Sequence, residues 1–209
     1  MTTIALYATN TMADWEYGYL IAGLAMAREQ NPDVHRLLVA SESGDPVTTM
    51  GGLRITPDVA LADLPALDAL ILPGANTWGS GHDTVLKVAA ELVAAQTPVA
   101  AICGATYGLA RIGLLDDRPH TSNAASFLVG APEYRGAEHY REEKAVSDGT
   151  VITAGGVHPL EFAKLVFERL NVFPQPVIDA WYGLYTTGER KYYDQLAGMW
   201  PAAAPRVMR

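Results

Sequence analysis

Short apolar runs alternate along this chain with longer stretches of helical periodicity, the arrangement that encodes parallel α/β sheets. Ile4 to Thr9 reads as a first strand, and Ala13 to Gln30 as a helix whose apolar face is Leu20, Ile21, Leu24 and Ala27 or Ala25. Val34 to Ala40 is a second strand. Val47 to Ile55, split by Gly51-Gly52, reads as a short hairpin. Ala69 to Leu72 is a buried strand ended by Pro73-Gly74, His82 to Ala95 a helix, and Val99 to Ile102 the next buried strand. Gly104 to Ile112 is a short helix, Pro119 to Ser122 extended, and Ala145 to Ala154 a hairpin around Ser147-Asp148-Gly149. Pro159 to Leu170 is a helix with Phe162, Leu165, Val166 and Leu170 at core spacing, and residues 174–197 read as one further helix.

No internal repeat or interdomain linker interrupts this pattern. It predicts an α/β protein, a three-layer α/β/α sandwich with a mostly parallel central sheet. Residues 1–198 form one domain in this reading, and 199–209, including Pro201-Ala-Ala-Ala-Pro205, form a flexible tail. In such sheets sites form beyond the carboxyl ends of the strands. The loop after Thr9, the Pro73 to Asn76 loop and Cys103 all fall there.

Composition narrows the function classes. An apolar fraction of 49% against 18% charged residues is globular and argues against disorder. Fifteen basic against 23 acidic residues leave a charge of −8 with no Lys/Arg cluster, which excludes a duplex-binding surface and makes nucleic acid an unexpected partner. Leu92 to Ala110 carries no charge and is just long enough to suggest a membrane span, but Pro98, Gly104 and Gly108 break it into helix end, turn, strand and helix start. The N-terminus lacks the features of a signal peptide, so the expectation is a cytoplasmic protein without a membrane partner.

Cys103 is the chain's one cysteine, so an intramolecular disulfide and a thiolate zinc cage are excluded. Ala101-Ile102-Cys103-Gly104-Ala105 ends an apolar run and opens a helix. A nucleophile on a sharp strand-to-helix turn needs small neighbours two residues away on either side, and Ala101 and Ala105 meet that need. Gly104 leaves its amide free to face an oxyanion, and the helix start favours a thiolate, lowering its pKa. The competing assignment is a buried core cysteine. The five histidines form no ligand pair, and Gly51-Gly52 and Gly79-Ser80-Gly81 lack nucleotide-loop endings, so neither a metal nor a cofactor is expected.

These residues resemble the ThiJ/PfpI superfamily, a branch of the class I glutamine-amidotransferase-like fold, over roughly residues 3–170. The resemblance rests on Asp14-Trp15-Glu16, Leu72-Pro73-Gly74-Ala75-Asn76 and Val99 to Gly104. Arg111 to Leu115, Asp148-Gly149 before Val151 to Ala154, and Leu160-Glu161-Phe162-Ala163 fit as well. It implies a flavodoxin-like fold, a homodimer, and a small-molecule substrate. It also implies a nucleophile Cys103 paired with Glu16, and an oxyanion hole from the amides of Gly74 or Ala75 and of Gly104. Protease members carry a His directly after the cysteine, where Gly104 stands here. Deglycase-like members place a His on the strand after the elbow helix, where spacing puts Asn123.

Glu16 is then either a solvated carboxylate or a buried carboxyl of raised pKa that transfers a proton or donates to oxidised sulfur. His120 and His158 are the candidates for an assisting histidine, with no histidine as the third option. Strand alternation sets His120 and Ser122 opposite Thr121 and Asn123. Trp78 either lines the pocket or packs under its loop. Tyr182, Tyr185, Tyr192 and Tyr193 dock the last helix or a second subunit. The functional expectations are a cysteine-dependent hydrolase or lyase for a small amide or carbonyl, or a redox-sensing protein whose Cys103 is oxidised. A non-catalytic module with a buried cysteine is the third.

Overall fold

A computed structural model describes residues 1–200. Its order is β1 (Thr2–Tyr7), α1 (Asp14–Gln30), β2 (His35–Ser41), β3 (Val47–Thr48), β4 (Arg54–Ile55), β5 (Val59–Ala60), β6 (Ala69–Leu72), α2 (Asp83–Ala94), β7 (Val99–Ile102), α3 (Gly104–Arg111), α4 (Ala125–Val129), β8 (Ala145–Ser147), β9 (Val151–Ala154), α5 (Pro159–Arg169), α6 (Gln175–Thr187) and α7 (Arg190–Met199). Seven strands form one sheet in the order β5-β2-β1-β6-β7-β9-β8. Every pairing in it is parallel except β8 against β9. The fold is the predicted flavodoxin-like α/β sandwich. No helix of the described residues is long and apolar enough to cross a membrane.

The period of two along the strands builds two cores. Ile4 and Leu6 of β1 join Ile71, Ile102 and Ile152 under α1, α5 and α6. Ala5 and Tyr7 join Leu70, Leu72, Val99 and Ala101 under α2 and α3 on the other face. On α1 the buried face is Leu20, Leu24 and Ala27, and Ala25 points to solvent.

Three expectations change. The predicted helix over 174–197 is two helices: Gly188 takes φ 70° as the left-handed cap of α6, its amide returning to Leu184 O at 2.8 Å. Helix α7 then folds back, with Tyr192 against Gly183. The extended segment 119–122 is no sheet strand and makes one bridge, His120 to Tyr140. The predicted tail starts within described residues, where Met199 ends α7 and the Trp200 ring lies 5.4 Å from that of Phe173. Positions 201–209, with Pro201 to Pro205, lie outside the described residues. The Val47 to Ile55 hairpin is present as a separate pair, β3 with β4.

The parallel strands β1, β6, β7 and β9 all end at one sheet edge, and the loops after them converge there.

Candidate active site

Strand β7, buried at all four residues, runs straight into Cys103. The cysteine takes φ 58° and ψ −123° as it caps α3, a left-handed φ that a non-glycine residue adopts only when its surroundings force it. Those surroundings are visible. The Cys103 amide donates to Ala154 O at 2.9 Å, while its carbonyl accepts the Thr106 amide at 3.1 Å and hydroxyl at 2.6 Å. Thr106 Oγ1 also meets Ser122 Oγ at 2.6 Å. Ala101 and Ala105 are buried beside the turn, as the small-neighbour argument requires.

Glu16 reaches the same place from the first turn of α1. It is 1% exposed, and its Oε2 accepts the Gly74 amide at 2.6 Å. Oε1 is buried without a nitrogen or oxygen partner, and the Cys103 thiol is the group beside it. Two glycines make this contact possible. A Cβ on Gly74 would lie 2.7 Å from both Cys103 Cβ and Glu16 Oε2. A Cβ on Gly156 would lie 2.7 Å from the sulfur and 3.1 Å from Glu16 Oε1. The 2.7 Å approaches at each glycine are closer than real Cβ contacts, so only glycine fits on either side of the pair.

A third group completes the set. Asn123 donates Nδ2–H to Cys103 Sγ at 3.3 Å, and its Oδ1 accepts the Gly156 amide at 2.8 Å. The Gly156 carbonyl in turn accepts the Trp15 indole N–H at 3.1 Å. The second of these bonds fixes which end of the Asn123 amide faces the sulfur: the donor.

The electrostatics follow from burial. Desolvation raises the Glu16 carboxyl to about 7, with the thiol and the Gly74 amide pulling weakly the other way. Cys103 is pushed up to about 11, first by burial and then by the charge on Glu16, against the Asn123 and Gly104 donors. The expected lowering of the thiol by the helix start is therefore overturned. Burial and the neighbouring Glu16 charge hold the thiol up, although Gly104 at the helix start donates to it.

Several expected site residues sit elsewhere. His120 is wholly buried, with Nε2 on Tyr134 OH at 2.7 Å and Nδ1 on Arg118 O at 2.8 Å. Both ring nitrogens are occupied by groups away from the thiol. His158 caps α5 and lies 3.8 Å from Glu161 Oε2. It lines a neighbouring cavity with Thr121 and Gly155. Glu161 itself is held by Lys144 at 2.8 Å and Tyr182 at 2.9 Å. The Gly74 amide is spent on Glu16, and the Gly104 amide is the backbone donor to the Cys103 thiol. Trp78 does both things proposed for it. It packs under the loop, donating to Pro73 O at 2.9 Å and stacking on His82 at 4.3 Å, and its edge reaches the cavity floor beside Gly104.

A cavity of about 340 Å³ opens over Cys103, Gly104, Ala75 and Asn123, with Tyr107 and Phe127 as its outer wall. Trp15, Tyr107, Phe127 and Gly156 are site residues that sequence reasoning missed. Only Gly155-Gly156, paired glycines just past a buried strand, carried a readable signal of close approach.

Residues 2–169 match the model of the DJ-1/PfpI family. The chain is 42% identical to the Bacillus subtilis (strain 168) protein named "Uncharacterized protease YoaZ", over 92% of this chain and 95% of that one. It is 30% identical to the Caenorhabditis elegans "Glutathione-independent glyoxalase DJR-1.2", over 65% of this chain and 74% of the other. The crystal structure of the thiJ/pfpI family protein from Bacillus anthracis superposes with a TM-score of 0.90 at 40% identity, covering 95% of this chain and 98% of its own. With that match over most of its length, this chain belongs to the DJ-1/PfpI family.

Proposed function

We propose that the protein is a cysteine-dependent hydrolase or lyase for a small carbonyl or amide, with Cys103 as nucleophile and Glu16 as its proton carrier. The observation that carries this reading is the packing of thiol and carboxyl against each other between Gly74 and Gly156, where nothing larger than glycine fits. A carboxyl near 7 exchanges protons at neutral pH, so it can take the thiol proton and give it back within one cycle.

In the first step the sulfur bonds to the carbonyl carbon and the C=O π pair moves onto oxygen. The thiol proton passes to the Glu16 carboxylate. The amides of Ala75 and Gly104 donate to the developing oxyanion, and Glu16 then protonates that oxygen or a departing amine. Asn123 donates to the sulfur but has no base to offer, so the proton has no other carrier among the groups touching Cys103. A histidine-assisted peptidase is the weaker member of the pair of activities named among the relatives, because His120 and His158 have their polar contacts elsewhere. The glyoxalase name borne by the nematode relative fits a carbonyl substrate.

Turnover of amides, glyoxals and isonitriles by Cys103→Ala and Glu16→Gln tests this reading. Loss of all activity with the first, and a fall of about a hundredfold or more with the second, is expected. Unchanged turnover by Cys103→Ala overturns it.

A redox role is the second reading, favoured by the unpartnered Glu16 Oε1 beside the sulfur. A protonated carboxyl there can donate to a sulfinate oxygen. Mild peroxide followed by intact-mass measurement decides it, selective addition of oxygen at Cys103 being the expected result. A cytoplasmic setting, which suits a single reduced cysteine, and the homodimer implied by the family belong to the same proposal.

A further inference from the structure

Three consecutive residues at the start of α1 hold three different loops. Successive side chains of a helix point about 100° apart. Asp14 accepts the Gly51 amide at 2.7 Å, Glu16 accepts the Gly74 amide at 2.6 Å, and Trp15 donates its indole N–H to the Gly156 carbonyl at 3.1 Å. Trp15 is 53% exposed, so burial does not account for the place of its ring, whereas the bond to Gly156 does.

Gly156 needs such a hold. It lies two residues past the end of β9, and the missing side chain that makes room for the thiol and carboxyl also leaves its backbone loose. Asn123 Oδ1 accepts its amide at 2.8 Å and the Trp15 indole serves its carbonyl. One bond lies on each side of the Gly156 Cα, so together they fix the two soft dihedrals of that residue. Asn123 is itself exposed. An exposed amide exchanges its oxygen and nitrogen ends by a half-turn unless one end is tied. The Gly156 amide is the tie on Oδ1, and it leaves Nδ2–H aimed at the sulfur at 3.3 Å.

We propose that Trp15 is a positioning residue for Cys103: by holding the Gly156 carbonyl it keeps the Gly156 amide on Asn123, and so keeps the Asn123 donor on the sulfur. The relay runs Trp15, Gly156, Asn123, Cys103. It starts on the helix that carries Glu16, so α1 supplies the thiol with a proton acceptor directly and with a hydrogen-bond donor at second hand. The bearing of the relay on turnover rests on the nucleophile reading above; the relay itself does not.

Iodoacetamide labelling at pH 8 follows the thiolate fraction of Cys103. Trp15→Phe keeps an aromatic ring and deletes the donor. It is expected to slow labelling about three- to fivefold in the parent chain. That factor should be at least about twice the one found in the Asn123→Leu background, where the relay has no end to act on. Glu16 faces the thiol in both backgrounds, so its charge cancels from the comparison. Trp15→Leu, run in the same cycle, keeps the result from depending on the folding of one variant. A smaller ratio, or labelling as fast as in the parent chain, overturns the proposal. Heteronuclear NMR reads the Asn123 to sulfur bond itself. Cys103→Ala removes the sulfur and moves the side-chain amide resonances of Asn123, and that displacement is expected to shrink by half or more when Trp15→Phe is present. A displacement that shrinks less also overturns the proposal. Turnover that survives Cys103→Ala defeats the nucleophile reading and leaves both measurements standing, whereas Cys103-dependent turnover with a failed labelling cycle defeats only the relay.

Discussion

Glu16 pulls on Cys103 in two directions at once. Its negative charge holds the thiol pKa up, yet its carboxylate is the acceptor to which the thiol proton can go. A neutral side chain of the same shape separates the two effects. Glu16→Gln keeps an oxygen for the Gly74 amide and removes the charge, so the thiol pKa falls and iodoacetamide labelling of Cys103 at pH 8 becomes faster. Turnover, which needs the proton carrier, falls in the same variant. Asn123→Leu has the opposite effect on labelling, because it deletes the one side-chain donor that favours the thiolate. Labelling rates across pH 6 to 10 for the two variants check both signs, and slower labelling of Glu16→Gln would mean that the carboxyl stabilises the thiolate instead.

Two glycines of α1 show how packing sets the meaning of a residue within one element. Gly23 faces α5, and a Cβ there would lie 2.2 Å from Phe167 Cζ in the core. Gly18 has open space around the same position. Gly23→Ala is therefore expected to destabilise the fold by about 1–3 kcal/mol through overpacking. Gly18→Ala is expected to stabilise it by about 0.5–1 kcal/mol through helix propensity alone. Urea midpoints of the two variants, with opposite signs against the parent chain, are the check. The sequence distinguishes these two glycines no better than it distinguishes Gly74 from Gly79, since both arguments depend on what lies across the element. Periodicity did make the frame legible: apolar runs of four placed β6 and β7, the Ser147-Asp148-Gly149 turn placed the β8–β9 hairpin, and the cysteine between small neighbours placed the elbow. Asn123 is placed only through the family resemblance, as the residue standing where deglycase-like members carry a His. What stayed hidden was decided at a distance, as in the Gly74 amide claimed by Glu16, the indole of Trp15 on Gly156, and Phe127 on a five-residue helix too short to show a period. The break at Gly188 is masked in the sequence because aromatic spacing continues across it.

For the molecule as a whole, the candidate site works against stability where the buried histidines support it. Glu16 folds into a place that raises its carboxyl from 4.5 to about 7. Between those values the folded chain holds a proton that the unfolded chain has released, so stability falls as pH rises through that window. The rise corresponds to about 3 kcal/mol at most. His35, bonded to Leu24 O at 2.8 Å, and His82 and His120 all have depressed pKa values, burial being the main cause in each. Their sign is the reverse: the stability they confer is present above the ordinary value of 6.5 and is lost as pH falls. In the parent chain the two contributions oppose each other between pH 5 and pH 7, which flattens the profile. Glu16→Gln removes one of them. The variant should match the parent near pH 4.5, exceed it by up to about 3 kcal/mol at pH 8, and rise steadily in stability between those limits. Urea unfolding of both proteins at pH 5 and pH 8 measures this directly. A variant no more stable than the parent at pH 8 would mean that the buried carboxylate costs the fold nothing, and that its proton is not held as the packing between Gly74 and Gly156 requires.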